Sequence, residues 1–300
     1  MSIIRQRFTP TDALLLLVVT IWGSNFSLVK ASLTQMSPLA FSGLRLVLAC
    51  GVLLGAARLS GFGLPRRSDW WQLAILGLLG HCGYQLFFVL GLVRTSVTNS
   101  SLILGCLPIV VLLFNSFSRR GEVVGTWQWT GTALAFLGLY LVVGNGDVAA
   151  GETALGDVFM FLSMFCWGWY TVGSRHLFQR YTPLEVTAST TVVGTVGLLP
   201  FAGPSLMRLD WTGITWWVWL AVVMSGLLAL SLAYVLWYIG VQRLGSARTA
   251  IYSNLVPVVA MGVAAIGLGE PIGKAKLAGA TLILTSLVLT RIDDRREVVA

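Results

Sequence analysis

Residues 12–38 read DALLLLVVTIWGSNFSLVKASLTQMSP, and a recognisable copy of this stretch begins 145 residues later. Asp12, Trp22, Gly23, Lys30 and Pro38 fall on Asp157, Trp167, Gly168, Arg175 and Pro183 without a gap. The matches include a rare tryptophan and a cation aligned with a cation, so an internal repeat is the first expectation. The copy continues with a register that drifts as small insertions accumulate. Gly77, Gly91, Arg94 and Pro108 match Gly226, Gly240, Arg243 and Pro257 at an offset of 149, and Glu122, Gly125 and Gly131 match Glu270, Gly273 and Gly279 at 148.

The rest of the composition fits one setting for such a repeat. Of 300 residues, 56% are hydrophobic and only 11% charged, with a mean hydropathy of +0.82. That is not a soluble surface. The chain reads as a polytopic membrane protein whose solvent is the lipid bilayer. Its net charge of +8 is carried by cations standing singly or in pairs between apolar runs. They build no basic face, which argues against a nucleic-acid partner. Cys50, Cys82, Cys106 and Cys166 lie in apolar runs without CxxC spacing, so they read as small packing residues, and no metal site or disulfide framework is expected. Arg5 and Arg7 precede the first apolar run, but no small-residue cleavage site follows and the run carries the repeat motif. It is expected to be retained as the first helix.

A helix that crosses the hydrocarbon core needs about 20 predominantly apolar residues. Charges and turn residues divide the chain into ten such spans, at about 13–31, 39–57, 71–93, 97–117, 127–143, 157–177, 184–201, 216–240, 247–268 and 275–290. The linker-like segment is 144–152. Residues 1–146 and 147–300 therefore form two halves of five spans each. An odd number of spans per repeat places the second copy upside down in the membrane, as in many secondary transporters. With both termini inside, fourteen of the 20 lysines and arginines lie on the cytoplasmic side and five outside, with Arg45 within a span. This bias supports the orientation and the span count together.

Polar groups at membrane depth usually face a cavity or a partner. His81, Tyr84, Gln85 and Phe88 share one face of the third span, and Ser231, Tyr234 and Tyr238 have the same spacing on the eighth, its repeat partner. Two such faces would line an aromatic cavity with hydroxyl, amide and imidazole groups for an amphipathic solute. Interfacial belts account for tryptophans near span ends, such as Trp70, Trp71, Trp216 and Trp217. Trp22 with Asn25, and Trp167 with Tyr170, either face each other across a central site or fill gaps beside Gly23 and Gly168. His81 reads as a satisfied buried histidine or as a proton carrier.

Arg45 stands about 10 Å from the outer end of its helix at about 1.5 Å per residue. It attracts a substrate carboxylate or, the reading favoured here, bonds to backbone carbonyls and orients helices. The seventh span carries Ser189, Thr190 and Thr191 in the equivalent part, with no cation. No Asp or Glu stands in the middle of any span, which disfavours proton antiport by a buried carboxylate. Pro108 and Pro257 occupy equivalent mid-span positions and read as a hinge pair or as static kinks. Gly51 and Gly55 form a GxxxG, a packing motif of low specificity.

The helix 1 motif Trp22, Gly23, Ser24, Asn25, Phe26 with Lys30 and Pro38, together with Arg45, Pro108 and the turns Gly121–Glu122 and Gly269–Glu270–Pro271, resembles the drug/metabolite transporter superfamily, in its ten-helix EamA-type branch. The likeness covers residues 10–291. The second half lacks the helix 2 arginine and the helix 1 asparagine, so Arg45 and Asn25 need not act symmetrically. The resemblance implies a basket-like bundle with the fifth and tenth helices peripheral, and metabolite export. Aromatic content and length are most like the YddG-type amino-acid exporters. The expectation is an all-α secondary transporter of the cell inner membrane, acting as a monomer without cofactor and exporting neutral and aromatic amino acids by alternating access. Organic cations, drugs or nucleobases are the alternative cargo. An enzyme is not expected, because HExxH, GxSxG and an acidic pair are all missing.

Overall fold

A threonine and a proline start two of the long helices in the same way. Thr9 precedes Pro10 and Thr182 precedes Pro183; each threonine hydroxyl accepts from the backbone N–H three residues on, and Asp12 or Glu185 accepts from the threonine N–H in return. These are capping boxes with proline where the helix has no use for an N–H. They begin α1 (Pro10–Ser32) and α9 (Pro183–Met207). Ser37 and Pro38 begin α2 (Pro38–Leu59).

The computed structural model describes residues 9–95, 97–117, 126–143, 153–268 and 273–290. The expected linker at 144–152, the turns around Glu122 and Glu270, and the arginines at either terminus lie outside the described residues. Within them every regular element is helical. Six helical stretches are long and apolar enough to cross a membrane: Pro10–Ser32, Pro38–Leu59, Arg67–Arg94, Ala154–Gln179, Pro183–Met207 and Trp216–Leu244. Ile103–Phe117 and Leu277–Ser286 are shorter apolar helices.

Two of these rods share an irregularity. The first contains α3 (Trp70–Gly77), a π-helical stretch Leu78–Gly83 and α4 (Tyr84–Arg94). The second contains α10 (Trp216–Met224), a π-helical stretch Ser225–Leu232 and α11 (Ala233–Leu244). The offset of 149 superimposes the two wide stretches. π turns loosen the backbone ladder and concentrate at functional sites. In the second, Ser231 Oγ donates to the Gly226 carbonyl at 2.9 Å and the Trp22 indole N–H donates to the Ala229 carbonyl at 3.1 Å.

Pro108 and Pro257 do not sit inside continuous helices as expected. The chain breaks between α5 (Val97–Gly105) and α6 (Leu107–Phe117), and again where α12 (Ser246–Ile251) passes through a 3₁₀ turn, Tyr252–Leu255, into α13 (Val256–Leu268). Each proline is the second residue of a new helix, where its missing N–H leaves no bond unmade. Gly245, with φ of 86°, makes the left-handed joint between α11 and α12.

α7 (Thr126–Val143) and α14 (Lys274–Thr290) pack chiefly on each other, so close that a Cβ on Gly138 would stand 2.6 Å from the Gly279 carbonyl oxygen. In the centre, α2 packs on α9, α4 on α8 (Thr153–Gly173), and α1 on α11 and α13. Glycines bring α9 and α8 onto the first π stretch. A Cβ on Gly194 would lie 2.2 Å from His81 Cβ, and one on Gly80 would lie 2.3 Å from the Tyr170 ring. Such contacts are the usual adhesive where lipid removes the hydrophobic drive. Gly51 and Gly55 behave differently from the expectation of a packing motif, since a Cβ on either meets nothing within 4 Å. Phe161, Phe165, Trp70, Trp71 and Trp216 are exposed on the outer surface, as lipid-facing and interfacial residues would be.

Candidate functional site

Residues one repeat apart meet at the middle of the bundle. Trp22 and Trp167 stand edge to face with ring centres 5.6 Å apart. Gln85 and Tyr234, equivalent at the offset of 149, are joined by a hydrogen bond from the amide Nε2 to the phenol oxygen at 3.3 Å. Both contacts therefore join positions that the sequence repeat makes equivalent.

Around the pairs the aromatic rings are continuous. Trp167 lies 4.7 Å from Tyr234, 5.1 Å from Tyr84 and 5.6 Å from Tyr170, while Trp22 lies 5.1 Å from Trp237. A cavity of about 50 Å³ opens among them, lined by Trp22, Asn25, Phe26, Tyr84, Phe88, Leu104, Leu107, Trp167, Ser253 and Val256. A water takes about 30 Å³ of liquid volume. As it stands the cavity has room for a few waters and not for an amino acid. Of the residues expected there, Trp22, Asn25, Tyr84 and Trp167 line it. His81, Gln85, Tyr170, Tyr234 and Tyr238 are buried in the surrounding layer instead.

Two polar clusters flank the rings. Arg45, 1% exposed, donates from Nη2 to Gln85 Oε1 at 2.6 Å and from Nη1 to Ser225 Oγ at 3.0 Å. Its Cζ stands 5.4 Å from the centre of Phe41 and 5.6 Å from that of Phe88. The favoured expectation of backbone carbonyl partners is thus replaced by side-chain acceptors on two other helical rods. The second cluster surrounds His81, whose Nε2 is 3.0 Å from both the Tyr170 hydroxyl and Thr190 Oγ1. Thr190 donates to the Val186 carbonyl at 2.8 Å, and the Tyr170 hydroxyl is 2.6 Å from Thr190. One assignment satisfies every contact: Tyr170 donates to Thr190, and the His81 Nε2–H donates to the two hydroxyl oxygens. Thr190 holds the position equivalent to Arg45 at the offset of 145.

The two ends of the bundle differ. At one, Lys30 Nζ donates to the carbonyls of Leu92 at 2.6 Å, Thr95 at 2.9 Å and Val93 at 3.4 Å, and Thr95 Oγ1 donates to Asp157 at 2.6 Å. At the other, Gln72, Arg175, His176, Gln179, Arg180 and Gln242 are among the residues lining a polar vestibule of about 650 Å³. It shares Gln72, Arg175 and His176 with an apolar groove of about 420 Å³ along Trp71, Phe114 and Trp169. Asp69 borders this end, accepting from Arg180 at 2.7 Å and from the Tyr181 hydroxyl at 2.8 Å.

Some members of the site were missed in the sequence. Trp237 is fully buried against Trp22 and directs its indole N–H to Thr171 at 3.4 Å. Its position three residues after Tyr234 was the available signal. Ser225 and Ser253 gave none, because one lies in a π stretch and the other in a helix break.

Comparison with known proteins agrees with this architecture. A probable terminal-alkyne amino-acid exporter of Streptantibioticus cattleyicolor is 30% identical over 277 residues, covering 92% of this chain and 91% of that protein. The transporter YyaM of Bacillus subtilis is 28% identical over 89% of this chain and 88% of its own. A probable amino-acid metabolite efflux pump of Salmonella typhimurium is 28% identical over 92% and 93%. One solved crystal structure superposes with a TM-score of 0.76 at 20% identity, over 93% of this chain and 98% of that one, which shows a shared fold. Matched twice by the family's sequence pattern, over residues 9–144 and 154–292, the chain belongs to the EamA-like transporter family.

Proposed function

We propose that the protein is a secondary exporter of small metabolites, principally neutral and aromatic amino acids. It works by alternating access between two inverted five-helix halves, 1–146 and 147–300, with both termini cytoplasmic in the inner membrane. The observation that carries this reading is the meeting of Trp22 with Trp167 and of Gln85 with Tyr234, each pair equivalent in the repeat. A rocking motion of the two halves exchanges the two ends of the bundle while leaving the ring cluster central. The vestibule at the Arg175 end supports access from that side, with the Lys30 end tied. Paired breaks before Pro108 and Pro257 supply joints for the motion. The names given to the relatives support amino-acid cargo and a transport role rather than an enzymatic one.

Flux through the purified protein in liposomes tests the reading, using radiolabelled amino acids, organic cations and nucleobases with and without a pH gradient. Flux of another class with none of any amino acid would overturn the cargo. Flux that ignores the gradient would remove His81 as a proton carrier. Tyr84→Ala and Tyr234→Ala should each lower flux by about tenfold or more, on the scale of a lost aromatic contact of about 1.5 kcal/mol, while Trp217→Ala changes it little.

A further inference from the structure

We propose that Arg45 is the anchor for a carboxylate on the transported solute, an assignment that rests on the transport reading above. A guanidinium offers five N–H donors in a rigid fork. In Arg45 one bond goes to Gln85 Oε1 and one to Ser225 Oγ, while the buried Nε has no partner. No Asp or Glu among the described residues forms an ion pair with it; Asp69 pairs with Arg180 instead. A buried cation without a counter-charge is among the most costly groups a membrane bundle holds, and it marks function by default.

The fold itself does not need the charge. At the equivalent position of the second half, Thr190 ties α9 to the first π stretch through His81 with a hydroxyl in place of a guanidinium. The corresponding tie from α2 to the second π stretch, through Ser225, could be made by any neutral donor. What the cation adds is recognition of an anion.

The location fits that role. Phe88 is shared, since its ring lies 5.6 Å from Arg45 Cζ and also lines the cavity with Trp22, Tyr84 and Trp167. Gln85, the closer partner of Arg45, also holds Tyr234. At 2.6 Å, the Gln85 amide oxygen occupies the place that a carboxylate oxygen would take. On solute binding the fork exchanges this neutral acceptor for a charged one, which binds more strongly. The solute class is then a carboxylate attached to an apolar or aromatic body that packs on Trp22 and Trp167. Solutes that carry only a positive charge are repelled.

Counterflow in proteoliposomes of the full chain tests this. Radiolabelled phenylalanine is challenged with unlabelled phenylalanine, 3-phenylpropanoate, which has only the carboxylate, and phenylalaninamide, which has only the ammonium. The expected result is competition by the first two, with the amide at least about tenfold weaker, on the scale of a charge-assisted hydrogen bond. Arg45→Gln should erase the difference between acid and amide, and Arg45→Lys should retain part of it. The wild-type comparison needs no variant, so misfolding of Arg45→Gln would not protect the proposal. Equal competition by acid and amide in the wild type overturns it, as does discrimination that survives Arg45→Gln. Should phenylalanine show no flux, the three compounds are assayed directly as labelled solutes. Flux of 3-phenylpropanoate alone would uphold Arg45 and remove the amino-acid cargo. Flux of the amide alone would remove Arg45 and leave transport standing.

Discussion

Lys30 and Arg175 occupy the same position in the two copies, yet their surroundings differ. Lys30 gathers three carbonyls at the end of α4. The residues equivalent to those acceptors, at the offset of 149, are Val241, Gln242 and Leu244, and Gln242 lines the vestibule together with Arg175. At the Arg175 end Tyr252 donates to Asp12, Arg243 reaches Thr11 at 3.4 Å, and Arg180 pairs with Asp69. The Lys30 copy of the motif is drawn onto a helix end, and the Arg175 copy lines the vestibule. An exact two-fold relation between the copies would give both ends the same contacts, so the difference marks a departure from symmetry between the halves.

The largest expected effect breaks the tied end. Lys30→Met removes charge-assisted bonds worth about 1.5–3 kcal/mol each, which should shift the balance between the two end states by at least about tenfold. Hydrogen exchange should then quicken at the end of α4 around residues 92–95. Arg175→Met should leave that segment unchanged, and equal quickening by both variants would count against the contrast.

A smaller effect tests how closely the halves are seated. Gly194→Ala forces α9 away from His81 and should lower stability by about 1–3 kcal/mol, the usual cost of overpacking. Gly51→Ala has open space and better helix propensity, so it should be neutral or stabilising by up to about 1 kcal/mol. Thermal melting in detergent would show whether the order holds.

The smallest effect concerns the loop between α9 and α10 at the Lys30 end. There Asp210 accepts from the N–H groups of Thr212 and Gly213 and from the Thr212 hydroxyl. The Thr212 hydroxyl and these amides hold its carboxylate below the usual range. A depressed native value means that the stabilisation is complete above the unfolded value of about 3.9 and is lost as pH falls through the native one. Exchange in residues 208–215 should therefore quicken below about pH 4, and Asp210→Asn should abolish that pH dependence.

Much of this was legible beforehand because membrane burial leaves a coarse signal. Apolar runs long enough to cross lipid, and a tryptophan, glycine and proline pattern repeated at one offset, are visible without coordinates. So were Trp22, Asn25, Tyr84 and Trp167, since polar and aromatic groups at depth stand out against leucine and valine. The π stretches could not be read, because Leu78–Gly83 and Ser225–Leu232 contain only residues that also suit an α-helix. Nor could the partners of Arg45, which come from positions 40 and 180 residues away.

Sequence alone determined that the chain is apolar enough to live in lipid, that it is built twice, and that one buried arginine has no counterpart in the second copy. These depend on composition and spacing, which survive without knowledge of neighbours. Only the tertiary structure decided that Gln85 rather than a backbone carbonyl meets Arg45, that Thr190 anchors His81, and that Trp237 completes the ring cluster. Those outcomes turn on how closely two helices approach. Glycines such as Gly80 and Gly194 set that distance through contacts between residues far apart in the chain.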